Sequence, residues 1–135
     1  IERLLQVHGA SAIVKEFESG RIKSLAFKHE GVPFQLPSRD DAIYQVLLDA
    51  NRKRPYRYQW ATKLVQEQAE RTAWRNIMYW IKAQLALVEI GMVTVTEIFL
   101  PYMLVSSQET LYNRMLTSGF NPALPEGRLK ENEGE

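Results

Sequence analysis

From Thr62 to Gly91 the chain reads TKLVQEQAERTAWRNIMYWIKAQLALVEIG, and no Gly or Pro interrupts it before Gly91. A run of that length without a breaker reads as one long helix. Trp74, Ile77, Ile81, Leu85 and Val88 recur at helical spacing and predict its buried stripe. Trp80, Ala83 and Leu87 carry apolar character round the other side, which predicts that other elements wrap the C-terminal half. One polar stripe remains: at about 100° per residue, Glu67, Arg71, Arg75, Lys82 and Glu89 project within roughly 80° of each other.

Shorter elements flank this helix. Residues 1–7 read as a short amphipathic helix, with Leu4 and Leu5 turned inward. Residues 11–18, 21–28 and 32–36 read as three strands, separated by turn signals at Ser19-Gly20 and His29-Glu30-Gly31. Pro33 cannot donate to a ladder, so the third strand is expected to have a free edge there. Ser38 with Asp41 fits a capping box for a helix to about Asn51 that buries Ile43, Val46 and Leu47. Gly91 suits a left-handed helix end. Thr94 with Glu97 and Ser106 with Glu109 fit two further capping boxes. The first opens a helix to about Leu104, which Pro101 can split, and the second opens one ending at Gly119. Residues 120–124 are expected as an extended arm and residues 126–135 as a disordered tail. The fold class expected is α+β: a three-stranded antiparallel meander on a four- to five-helix bundle with one long central helix, forming one domain over residues 1–125.

Several functions are excluded or disfavoured by composition. The chain has no cysteine, which removes disulfides and thiolate metal sites. No apolar run reaches the roughly 18 residues of a membrane span, and no signal peptide opens the chain, so a cytoplasmic protein with no membrane partner is expected. Because it starts at Ile1, a few residues are expected to precede it. His8 and His29 are the only histidines, and no metal-ligand spacing or phosphate-binding glycine loop is present. Asp40 and Asp41 are the only adjacent acids, and on a helix they point about 100° apart, which suits the helix dipole better than a carboxylate dyad. Glu67 and Glu70 are expected to pair with Arg71 and Lys63. No catalytic residue, metal or cofactor is therefore expected.

The net charge of +1 conceals an asymmetry. Residues 50–82 hold eight cations and two anions, a net of +6, while every other part of the chain is slightly acidic. Within that window, residues 52–60 read RKRPYRYQW, with four cations, two tyrosines and a tryptophan. Lys and Arg neutralise phosphates and release counterions, and aromatic faces stack unpaired bases. Arg52, Lys53, Arg54 and Arg57 are the expected phosphate cluster, Tyr56 the stacking residue, and Arg71, Arg75 and Lys82 a continuing cationic track. The partner expected is nucleic acid, with single strands best suited to exposed aromatic faces. The alternative is a protein-interaction factor, either a homodimer formed through the apolar long helix and FLPYML or a factor that binds or inhibits a host protein. Trp74 and Trp80 are expected in the core or at such an interface.

IERLLQVHGAS, RIKSLAF followed by PFQLP, ERTAWRNIMYWIKAQLALVEIGMVTVTEIFLPYML and the terminal NPALPEG together cover most of the chain. In these segments the chain resembles an uncharacterised family of small bacteriophage and prophage proteins. The resemblance implies a phage or mobile-element origin and the host cytoplasm, and it brings no catalytic residues.

Overall fold

Thr62–Glu89 forms a single helix of 28 residues, α3, about 42 Å long, in a computed structural model that describes residues 1–119. Before it come α1 (Glu2–Val7), β1 (Ala10–Glu18), β2 (Arg21–His29), β3 (Val32–Pro37) and α2 (Asp40–Arg52). After it come α4 (Val95–Phe99) and α5 (Leu111–Ser118). The strands form an antiparallel meander in the order β1-β2-β3, so the α+β class with one long helix holds. The expected arm and tail, and the domain boundary at residue 125, lie outside the described residues.

Alternation places the core. Leu25 pairs with Leu36 and Phe27 with Phe34 directly across β2 and β3, and all four are buried on one sheet face. Ile81 and Leu85 of α3, Val95 and Phe99 of α4 and Leu5 of α1 complete that cluster, with Trp74, Ile77, Trp80 and Val88 packed against it. Trp80 meets Phe99 and Tyr102 edge-on, at centroid distances of 5.6 and 5.9 Å, so its ring packs within the chain. The sequence stripe therefore points inward as expected. The wrapping of the other side does not extend as far as expected, because Ala83 is exposed beside Lys82 and Ala86. Nor does the stripe include Val65, Ala69 and Ala73, which are buried in the N-terminal half. Alanines read as neutral in a hydrophobic pattern, yet here they let a neighbouring backbone come close.

The helix ends are set by local chemistry, not always as the sequence predicts. Gly91 has φ 78, and Met92 N–H donates to Leu87 O (3.0 Å) while Gly91 N–H donates to Val88 O (3.0 Å). That is a Schellman end, in which only glycine adopts the left-handed residue without strain. The Thr94 and Glu97 capping box forms as expected: Thr94 Oγ1 accepts from Glu97 N–H at 3.1 Å, and Glu97 returns a bond to Thr94 N–H. Replacing Thr94 by alanine should cost about 0.5–2 kcal/mol, read as a shift in the denaturation midpoint at unchanged slope. Pro101 splits the following segment, so α4 stops at Phe99 and Leu100–Tyr102 makes a 3-10 turn.

Two capping boxes do not form. Ser38 spends its hydroxyl on Asp40 Oδ1 (3.0 Å), and Arg39, in the left-handed region at φ 50, is the residue that opens α2. Ser106 and Glu109 close a turn instead, and Thr110 caps α5 by accepting from Asn113 N–H at 3.3 Å. The reason lies at the edge of β3. Leu104 N–H donates to Pro33 O (2.9 Å) and Leu111 N–H to Met103 O (2.8 Å), which holds residues 103–104 extended until Thr110. The edge at Pro33 is consequently not free, since its carbonyl is used.

The expected burial of Val46 fails as well. It is 68% exposed, and α2 turns Ile43 and Leu47 towards α3 instead. α2 packs on α3 as a helical hairpin and makes no comparable contact with any other element. Its base is held to the sheet by Asp40, only 1% exposed, whose carboxylate lies 3.2 Å from Arg21 Nη1 and 3.7 Å from Lys23 Nζ. Asp41 remains exposed, 3.8 Å from Lys23. The two acids share Lys23 as a partner, and Asp40 also has Arg21 and Ser38.

Candidate nucleic-acid interface

The basic-aromatic connection forms the tip of the α2–α3 hairpin, at the end away from the sheet. Pro55, extended at ψ 141, ends any continuation of α2, and Tyr56–Tyr58 makes a single 3-10 turn closed by Tyr58 N–H to Pro55 O (2.8 Å). Two amide side chains brace this turn. Asn51 accepts from Trp60 N–H (2.8 Å) and donates to Trp60 O (2.9 Å). Gln59 Nε2 donates to Arg54 O (3.0 Å). Backbone polar groups at the tip are thus satisfied locally, and the charged and aromatic side chains are left to point outward.

All of residues 52–60 are exposed, Tyr56 to 91% and Trp60 to 51%. Neither Tyr58 nor Trp60 plugs the core. The Arg54 guanidinium lies over the Trp60 ring, 5.2 Å from its centroid. Arg52 sits 3.9 Å from Asp49, a pair exposed enough to contribute little. Lys53, Arg54 and Arg57 make no ion pair among the described residues.

Arg71, Arg75 and Lys82 are exposed on α3, and they too make no ion pair among the described residues. Their spacing of four and seven residues keeps them on one face and spreads them over about 16 Å of helix. Arg71 donates to Gln68 Oε1 at 3.0 Å. The expected pairing of Glu67 and Glu70 with Arg71 and Lys63 does not occur. Glu70 Oε1 accepts from Ile22 N–H (3.1 Å) at the start of β2, since a charged acceptor gains more from a backbone donor than from an exposed cation. This commitment turns Glu70, one of only two acids in the basic window, towards β2, and among the described residues it pairs with none of the window's cations.

The eight residues expected at the site therefore divide into two groups. Arg52, Lys53, Arg54, Tyr56 and Arg57 gather on one braced tip, and Arg71, Arg75 and Lys82 run along the helix behind it. Sequence reasoning missed the bracing by Asn51 and Gln59 and the Arg54–Trp60 stack. Only the position of two amides at either end of a proline-broken turn could have signalled them. Elsewhere, His8 bonds Leu4 O (2.8 Å) and Glu89 Oε1 (2.9 Å). Among the described residues no three acidic or histidine side chains converge as a metal site, and no helix is long and apolar enough to cross a membrane.

Comparison with known proteins gives no match to a family model, a curated protein or a solved structure.

Proposed function

We propose that this chain is a non-enzymatic nucleic-acid-binding protein of phage type, acting in the host cytoplasm and taking single strands on the tip of the α2–α3 hairpin. One observation carries the proposal: four cations and three aromatic side chains stand exposed on a turn whose backbone is braced by the side chains of Asn51 and Gln59. A braced tip loses little conformational freedom on binding. Its unneutralised cations attract a polyanion and release counterions. The aromatic faces favour strands whose bases are unpaired, because a duplex hides those faces.

Tyr56 gives the most selective test. Its ring is almost wholly exposed among the described residues, so its removal should leave stability unchanged. Changing it to Ala should weaken binding to a labelled single strand by about 1–3 kcal/mol, while the salt dependence keeps its slope because stacking releases few ions. Fluorescence anisotropy at several salt concentrations reads both quantities. Unchanged affinity would remove Tyr56 from the interface.

A second reading, a protein-interaction factor that binds or inhibits a host protein or pairs with a second copy, draws on a different surface. Tyr112, Met115 and Leu116 lie at spacings of three and four residues on α5 and are exposed together. Sedimentation at micromolar concentration tests the pairing: a mass of two chains supports it, and a mass of one chain removes it.

A further inference from the structure

Between α2 and α3, directly beneath the hairpin tip, lies an open cleft of about 310 Å³. We infer that it is a pocket for one unpaired nucleobase of the bound strand. The inference rests on the nucleic-acid reading above and adds to it a defined site with a stated ligand.

The size and walls of the cleft restrict its occupant. Its volume is at the lower end for ligand sites, which suits a single flat ring system rather than a peptide segment. Leu47, Ala50 and Val65 supply apolar surface, and among the described residues no acidic residue lines the cleft. Trp60 and Arg54 stand at its rim, already stacked on each other. Bases extruded from single strands stack on indole rings and on guanidinium planes, so this pair forms a ready platform. The platform is pre-positioned, because Asn51 clamps the backbone of Trp60 through two hydrogen bonds. Little backbone entropy remains to be lost at Trp60 when a base arrives.

Gln68, with Asn51 and Arg54 among the polar side chains of the cleft, can meet a base edge. Gln68 Nε2 donates to Thr72 Oγ1 (3.3 Å), and its Oε1 accepts from Arg71 Nη2. An amide nitrogen carries two hydrogens, so one donor remains for a ring nitrogen or carbonyl. The Arg71 bond also ties the cationic face of α3 to the cleft. A base held there would leave its flanking phosphates beside Arg52, Lys53 and Arg57 on the same turn. Bases of a duplex are stacked inside it and cannot enter, so the cleft would select single strands by shape.

The test compares two labelled strands of equal length, one with bases throughout and one abasic, using the full chain. The parent protein should prefer the base-bearing strand roughly ten- to a hundredfold. Trp60→Ala removes the platform. Ala50→Phe fills the cleft from an exposed helical position, and it decides the matter if Trp60→Ala does not fold. Each variant should lower the preference severalfold while the salt slope stays that of the parent. Equal binding of both strands by the parent, with a steep salt slope, would overturn the cleft and leave the phosphate cluster standing. So would a preference undiminished in Ala50→Phe. Failure of the parent to bind either strand would overturn the cleft and the nucleic-acid reading together.

Discussion

Replacing Phe99 by alanine should destabilise the protein by about 3–5 kcal/mol. Phe99 is wholly buried at the end of α4 and joins three elements. Its ring meets Phe27 of β2 edge-on at 5.2 Å, Phe34 of β3 at 5.9 Å and Trp80 of α3 at 5.6 Å. Truncation loses the transfer energy of the ring and leaves a cavity between sheet and helix. It also breaks aromatic pairs that are each worth about 0.5–1.5 kcal/mol beyond burial. The neighbours cannot collapse into the space, because Phe27 and Phe34 are fixed by the strand ladder and Trp80 by a long helix. Urea denaturation followed by circular dichroism measures the loss. A change below about 1 kcal/mol would mean that Phe99 is not the joint between the layers.

Local pattern revealed most of the elements and missed the links between them. α3 was legible because 28 residues without a breaker leave few alternatives. The meander was legible because alternation and two glycine turns coincide, and the Thr94 cap because its partner is only three residues away. Val46 shows where pattern ends. At a helical position beside Ile43 and Leu47 it looks buried, but α2 packs mainly on α3 and needs a narrow stripe. One failed cap has a local cause, since the Ser38 hydroxyl turns to Asp40 two residues on, and the other a long-range one, since residues 103–104 answer to the β3 edge. The ties from Asp40 to Arg21 and Lys23, and from Glu70 to Ile22, join positions too far apart in the chain for any spacing rule.

The candidate site divides in the same way. The cations and Tyr56 were legible because a proline-broken, highly charged connection has nowhere to go but the surface. The Asn51 clamp, the Arg54–Trp60 stack and the cleft beneath them were not, because they depend on how α2 and α3 meet. Trp60 in particular reads as a core residue by type, yet half of it is exposed.

Changing Arg52, Lys53, Arg54 and Arg57 together to alanine should remove most single-strand binding while the protein stays folded. All four side chains are exposed. Among the described residues the Arg52–Asp49 pair and the Arg54–Trp60 contact are the only interactions these side chains make, worth about 1 kcal/mol or less each at such sites. Each phosphate neutralised on a single strand adds about 0.7 to the log–log slope of affinity against salt, so four contacts account for up to roughly three units. Arg71, Arg75 and Lys82 would retain a shallower, weaker residual dependence. Duplex of the same sequence should bind less well than the single strand to the parent, because it presents no base faces to Tyr56 and Trp60.

The most direct test is an anisotropy titration of parent and quadruple variant with one labelled single-stranded oligonucleotide across a range of salt concentrations. The account predicts that the parent binds at about 50 mM salt and weakens steeply as salt rises, and that the variant binds less tightly with a slope flatter by up to roughly three units. No binding by the parent at that salt, or a variant that superimposes on the parent, would contradict it.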